Sequence, residues 1–408
     1  MFTLLKTQIN ILRLIETYKI KTVKFEKALY SVENKLISKY YQKVQRNICK
    51  KIFQISGRKT ISNMYQFISV GFDLKSTLNE VKMERYERVS YFVPFKCDNK
   101  NSLIIKKFKR QPFYRYSHVE IMRKLDIVDL NNGLKAAGNR GYFLKGFGLD
   151  LNLALVKFGL EYLETQQHVK LWAPLFLRKQ IMKKCVQILD FKNQLYKIPI
   201  AKNTFYLIAT AEQAICSQMY NNTYKISDLP LKLCCYSTCF RKEAGSHGID
   251  SGGLFRVHQF EKIEQFIISY SRYFLKNKEF QLLLERSEKF YQQIRLPYQI
   301  VEMNSSELNS FSFIKYDIEA WFPGSKTYRE VVSCTNCLNM QSNSLKSKIK
   351  TQNSFDCDMC TFNSTLAATE RLMCALVENF QVKEGVKIPH CLRKYCNNKK
   401  FLKFNAFF

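Results

Sequence analysis

The sequence predicts an α+β protein, an antiparallel sheet flanked by helices and preceded by an N-terminal antiparallel helical hairpin. Three observations carry that reading. Residues 1–55 contain neither Gly nor Pro, and Phe25, Leu29, Val32, Leu36, Tyr40, Val44 and Ile48 recur at steps of three or four, the spacing that lines one face of a helix. Past Gly57, a second helical pattern through Leu74, Leu78, Val81 and Val89 ends before Pro94, so the two helices can pair as a hairpin. From about residue 110 the texture changes to short apolar runs at 142–144, 206–208, 254–257 and 331–332. Their unequal spacing favours a mixed or antiparallel sheet over a doubly wound one, in which crossover helices separate the strands regularly.

The hairpin comes first along the chain. A length of 408 residues suits one sizeable core with an appended module, which divides the chain into a basic arm over 1–105 and a larger domain over 106–408. The first 60 residues hold 14 Lys and Arg against 3 Asp and Glu. A solvated helix face is the ordinary reading of such an excess. A long hairpin with that charge also suits gripping phosphates along an RNA, with Lys35, Lys39 and Lys43 on its stripe as candidate contacts. Over the whole chain, 65 Lys and Arg against 34 Asp and Glu give +31, the direction expected for a polyanion partner. A biased coding composition rich in Lys, Asn, Ile, Phe and Tyr contributes to the same number.

Fourteen cysteines scattered through a long chain without a secretory apolar segment fit a reducing compartment better than a disulfide scaffold. No membrane span is needed. Residues 1–20 are basic and amphipathic, but Glu16 and the lack of serine favour a plain helix over a transit peptide. The cytoplasm is the expected location, with an organelle still open.

The densest stretch is 240–266, where apolar flanks surround a turn with Gly245, Gly248, Gly252 and Gly253. A strand, loop, strand hairpin is expected. Alternation in its second strand sets Phe255 and Val257 on one face and Arg256, His258, Phe260 and Glu264 on the other. On this segment alone, an exposed amphipathic hairpin is the blander alternative. The later segment 341–360 is polar and reads as a surface loop or strand edge.

With its GSHG and FRVHQFEKIEQF wording, the 240–266 stretch resembles motif 2 of a class II aminoacyl-tRNA synthetase of the seryl type, in its eukaryotic cytosolic form. Upstream, RYSHVEIMRKL, AAGNRGYFLKG and LWAPLFLRKQIM resemble the approach to motif 1, with Pro174 at the motif's proline. Downstream, IEAWFPGSKTYREVVSCTNC and NSTLAATERLMCALVENFQ resemble the serine-site strand and motif 3. The likeness runs in unbroken order over roughly residues 110–390, too long for coincidence at a single motif.

The resemblance implies a serine–tRNA ligase activity. ATP and serine would give seryl-adenylate and pyrophosphate, and the seryl group would pass to the terminal adenosine of tRNA(Ser). It makes 106–408 the catalytic domain, with motifs 1, 2 and 3, and puts the hairpin where the family carries its tRNA-binding arm. Arg241 matches the arginine bridging carboxylate and α-phosphate, and Arg371 the motif 3 arginine. Lys242, Glu243, Arg256, Val257, His258, Gln259, Phe260, Glu330, Val331, Val332 and Ser333 match ATP-contacting positions, with Phe260 as the adenine-stacking ring. Glu330 and Ser333 match the oxygen ligands of Mg2+, a hard cation. Thr210, Ala211 and Glu212 match the element that meets the ammonium of serine, while Arg241, Glu264, Asn363 and Thr365 match the other serine contacts. A homodimer is implied through motif 1, as is a selenocysteine-specific tRNA as second substrate where the host makes one.

Some positions depart from the family. Ile249 and Gly252 replace the two arginines of the motif 2 loop, and Asn343 and Ser344 stand where an Arg-Arg pair is common. These losses bear on the tRNA acceptor end more than on adenylate formation. Cys334, Cys337, Cys357 and Cys360 have the spacing of a zinc site, but CTNC is close to the CSNC that the family carries without zinc, so zinc is set aside. Adenylation needs no protein base because serine's carboxylate is already ionised, so His247 and His258 are read as structural. His118, His168 and His390 offer no ligand spacing. The alternative function is a catalytically impaired paralogue acting as an RNA-binding protein.

Overall fold

The computed structural model describes residues 102–108, 116–186, 194–201, 203–243, 252–271, 278–304, 307–350 and 358–405. Residues 1–101, which hold the expected hairpin with Lys35, Lys39 and Lys43, lie outside them. So does most of the motif 2 loop, including His247 and Ile249.

An eight-stranded sheet organises the described chain. Its strands are β1 (Leu103–Phe108), β2 (Val169–Trp172), β3 (Leu231–Phe240), β4 (Gln259–Ser271), β5 (Tyr298–Glu302), β6 (Ile314–Phe322), β7 (Thr327–Asn336) and β8 (Asp358–Ala368). In space they run β1-β5-β6-β7-β8-β4-β3-β2. Every neighbouring pair is antiparallel except β2 with β3, which is parallel. The expected boundary at 105/106 falls inside β1.

Helices flank this sheet: α1 (His118–Leu125), α2 (Phe147–Thr165), α3 (Ala211–Ser217), α4 (Lys278–Ile294), α5 (Met340–Leu345) and α6 (Thr369–Asn379). Leu155, Leu163, Phe290, Tyr291 and Leu372 from α2, α4 and α6 pack against Ile263 and Leu366 in one core. Ile208, Ile215 and Leu345 pack against Cys235 and Phe266 in a second. The central strands are therefore covered on both faces, and each large side chain withdrawn from water stabilises the fold by about 1.5–3 kcal/mol. Ser117 starts α1 with a capping box, its hydroxyl accepting from the Glu120 amide while Glu120 takes the Ser117 amide. His118 Nδ1 then lies 2.7 Å from Glu378 Oε1, and Glu378 Oε2 accepts from the Gly324 amide at 2.8 Å, tying α1 to the end of α6.

Two local expectations are corrected. Residues 252–258 are turns and bends, and the second motif 2 strand starts only at Gln259, because the two neighbouring glycines there let the chain turn, with Gly253 at φ +73. Of segment 341–360, expected to be a surface loop or strand edge, residues 341–345 are helical and 348–350 and 358–360 are strand, while 351–357 lie outside the described residues. Gln341 and Ser342 are buried in α5, and Ser342 Oγ donates to the Met359 carbonyl, so internal hydrogen bonds rather than water satisfy its polar groups.

Candidate active site

Strand β4 brings the first group of residues together. Period-two alternation carries Phe260, Lys262 and Glu264 to one face, and Glu264 pairs with Thr365 of β8 across the sheet. Lys262 Nζ is 2.6 Å from Glu264 Oε2 and 2.8 Å from Thr210 Oγ1. Thr210 caps α3, whose first turn presents Glu212. Glu212 Oε1 accepts from Asn363 Nδ2 at 2.9 Å and from Gln341 Nε2 at 2.7 Å. Desolvation and the neighbouring charge of Glu264 push the Glu212 carboxyl up to about 7. Burial also raises Glu264, with Lys262, Arg241 and Thr210 opposing it. Thr210, Glu212, Glu264, Asn363 and Thr365 thus form one polar cluster linked by hydrogen bonds and strand pairing, while Ala211 is fully buried beside it.

Phe260, on the same face of β4, also lines a cleft with Glu243, Phe255, Arg256, Val257 and Arg371. Arg241 follows β3 and is held at both ends. Its amide donates to the His258 carbonyl at 2.8 Å, its Nε to the Ala209 carbonyl at 3.0 Å, and its guanidinium packs 5.1 Å from the Phe260 ring centre. His258 Nδ1 lies 3.0 Å from the Arg241 carbonyl, so this histidine fixes the bend between the strands. Glu243 takes a left-handed φ of 50°, its carbonyl accepts from Arg140 at 2.9 Å, and its carboxylate meets Arg256 at 3.4 Å. Lys242 is held by its amide on the Gln194 carbonyl. Gln259 is exposed at the start of β4.

Arg371 enters from the first turn of α6. Its guanidinium lies 5.1 Å from the Phe255 ring centre, Nε donates to the Phe255 carbonyl at 3.3 Å, and Nη1 stands 3.6 Å from Glu330 Oε1. The adjoining Glu370 accepts from the Glu261 amide at 2.9 Å and the Tyr142 hydroxyl at 2.8 Å, which fastens that turn to β4. Burial and the charge of Arg371 both lower Arg241. Two guanidinium groups that disfavour each other's charge mark a place where an anion is welcome.

Glu330 and Ser333 lie on β7, where Ser333 pairs with Asp317 of β6. Asp317 Oδ1 is buried without a hydrogen-bond partner among the described residues, and burial beside Glu330 pushes its carboxyl up to about 7. Desolvation works against the charge of Glu330, but Arg371, Lys315, Arg241 and Lys262 overcome it and hold its carboxyl below the usual range. An ionised carboxylate, a hydroxyl and an orphaned carboxylate oxygen are hard donors of the kind Mg2+ takes when phosphates complete its shell. Val331 and Val332 bury their side chains in the core, so their contact with any nucleotide runs through the main chain.

Cys334, Cys337 and Cys360 are buried free thiols, Cys337 Sγ accepts from Asn363 Nδ2 at 3.4 Å, and Cys357 lies outside the described residues. Among the described residues no three His, Cys, Asp or Glu side chains are grouped to hold a metal ion. Pro174 stands in the link after β2. Asn343 is exposed and the Ser344 carbonyl accepts from Lys184 at 3.2 Å. Among the described residues, Gly252 has only Val119 near the place of an added Cβ.

Lys262, Gln341, Asp317 and Phe255 are additions to the predicted set. Lys262 stands two residues before Glu264 on the same strand face, a signal the period of two provides. Gln341 lies in the segment read as a loop, and Phe255 faces the core side while its ring and carbonyl also seat Arg371.

The family described as the tRNA synthetase class II core domain (G, H, P, S and T) matches residues 196–380. The chain is 44% identical over 317 residues to a serine–tRNA ligase of Helianthus annuus, covering 76% of this chain and 72% of that one. The cytoplasmic serine–tRNA ligase of Naegleria fowleri in complex with AMP superposes with a TM-score of 0.71 at 34% identity, over 88% of this chain and 76% of that one. The seryl-tRNA synthetase of Pyrococcus horikoshii complexed with ATP also gives 0.71, at 27% identity over 98% and 91%.

Proposed function

The chain belongs to the serine–tRNA ligases of the class II aminoacyl-tRNA synthetases, and from that premise we propose how its residues divide the reaction. Arg241 holds the carboxylate of serine and the α-phosphate of ATP together, a task suited to a planar fork of donors. Phe260 stacks on the adenine, and Arg371 balances charge on the phosphates from the opposite side. Glu212, steadied by Asn363 and Gln341, meets the serine ammonium together with Thr210. Glu264 and Thr365 read the hydroxyl. A carboxylate oxygen attacks the α-phosphorus, the bond to the β-phosphate oxygen breaks, and pyrophosphate leaves. Positioning and charge neutralisation supply the rate, since the nucleophile is already ionised. Mg2+, which Glu330 and Ser333 would hold with Asp317 behind them, supplies charge neutralisation on the phosphate oxygens. In the second step a hydroxyl of the terminal ribose of tRNA(Ser) attacks the activated carbonyl and AMP leaves.

The observation that carries this assignment is the place of Arg241, whose guanidinium packs on the Phe260 ring that lines the cleft with Arg371 and whose charge also acts on Glu264. A second copy of the chain is the proposed partner of motif 1. Val169 and Trp172 on β2 are 54% and 75% exposed, and Leu149 and Leu153, one turn apart on α2, are 48% and 51% exposed, an apolar surface that self-association would cover. A cytoplasmic enzyme fits the relatives named so. The test is charging of tRNA(Ser) by the purified chain with labelled serine and ATP. Serine attached in an ATP-dependent manner supports the assignment, and none attached overturns it.

A further inference from the structure

Lys262 places an ammonium inside the serine pocket, where the reaction gives it no role. Its side chain is 10% exposed and that of Glu264 is 2% exposed, and their 2.6 Å contact is joined by the 2.8 Å bond to Thr210 Oγ1. Both partners of the ammonium are groups that face the substrate. Arg241 also acts on Glu264 through its charge, but the Glu264 contacts are with Lys262 and Thr210. The charge of Lys262 also reaches Glu212 on α3, Cys239 on β3 and Glu330 on β7, so it sits among the acids of the site.

A carboxyl this deep is driven towards its neutral acid by desolvation, and a neutral acid can either donate or accept a hydrogen bond. An ionised one only accepts, so it demands a donor from its ligand. Glu264 Oε2 is occupied by Lys262 and, more loosely at 3.4 Å, by the Thr210 hydroxyl. We propose that Lys262 is a positioning residue for serine selection, clamping Oε2 so that Glu264 stays an acceptor-only carboxylate with Oε1 turned to the substrate's hydroxyl. The proposal rests on the assignment of Glu264 to that hydroxyl.

Serine-dependent pyrophosphate exchange by the full chain tests it, with the wild type, Lys262→Met, Lys262→Arg, Glu264→Gln and the Lys262→Met/Glu264→Gln pair. Loss of one charged hydrogen bond predicts a rise of about tenfold or more in the serine KM of Lys262→Met, an ATP KM within about twofold, and a lower preference for serine over alanine. Lys262→Arg, which keeps charge and donors, recovers part of the loss. Because the residue acts through Glu264, adding Lys262→Met to Glu264→Gln costs less than about a further threefold, a coupling that additive structural damage does not produce. The double variant also leaves no lone buried charge, so it decides the matter if Lys262→Met alone fails to fold. An unchanged serine KM in Lys262→Met, a rise in the ATP KM instead, or additive losses in the pair would overturn the role of Lys262 while Glu264→Gln still raised the serine KM. If Glu264→Gln left the serine KM unchanged, the site assignment would fall first and Lys262 with it.

Discussion

Glu264 on β4 and Thr365 on β8 are direct partners across two antiparallel strands, next to a register shift at Ile263/Glu264, so the pairing brings the Cβ atoms of a carboxylate and a hydroxyl residue to about 5 Å of each other. A ligand hydroxyl placed between them can donate to one and accept from the other. Alanine offers neither bond and leaves both groups unpaired, which is how a small pocket rejects a smaller substrate.

Glu264→Gln and Thr365→Val keep the size of each side chain and remove its hydrogen-bonding character. Each is expected to lower kcat/KM for serine by about 10- to 100-fold in pyrophosphate exchange, with the ATP KM little changed. Loss confined to the ATP KM would move both residues out of the serine pocket.

The Glu212 carboxyl, pushed up to about 7 by desolvation and by Glu264, must be ionised to receive an ammonium. The serine KM is therefore expected to fall as pH rises from 6 to 8, and Glu212→Gln to bind weakly without that dependence. The sign for stability is opposite. A carboxyl raised from 4.5 to about 7 in the folded state adds stability that is full below the lower value and lost as pH rises through the upper one. The serine-free Tm should decline less over that window in Glu212→Gln, as thermal unfolding at a series of pH values will show.

Activation and tRNA binding should separate by mutation. Arg371→Ala removes a guanidinium aimed at the phosphates and is expected to reduce pyrophosphate exchange by about 100-fold or more. Replacing Lys35, Lys39 and Lys43 together by Gln should leave exchange intact, raise the KM for tRNA and flatten its salt dependence. Equal exchange and charging in both variants would refute both assignments.

The exposed Trp172 on the outer strand supplies a test of assembly. Trp172→Asp places a charge at the centre of the proposed contact and is expected to yield a monomer by sedimentation, with weakened charging of tRNA. A wild-type chain that is already monomeric would contradict the proposed dimer.

Much of the sheet and of the site is legible in the residues themselves. Glu264 and Arg371 are named by the resemblance to motifs 2 and 3, the period of two in β4 then sets Lys262 on the face of Glu264, and the apolar stripe of Leu372, Leu376 and Phe380 supports the helix that carries Arg371. The turn over 252–258 is harder to read, because Leu254, Phe255 and Val257 are apolar for packing and a buried turn has the same composition as a strand. Helix α5 is masked in the other direction. Gln341 and Ser342 are polar yet buried, each satisfied by partners distant along the chain, Glu212 and Met359 among them, and no local pattern announces such contacts. The pairing of Asp317 with Ser333 depends on register between strands, which a linear reading does not give.

The most direct test of the account is amino-acid-dependent pyrophosphate exchange by the wild-type chain, with serine, threonine and alanine each offered alone. Exchange with serine, falling by about 100-fold or more with alanine and with threonine, is the expected result. No exchange with serine, or equal exchange with alanine, would contradict a pocket in which Glu264 and Thr365 read a hydroxyl beside Arg241 and Arg371.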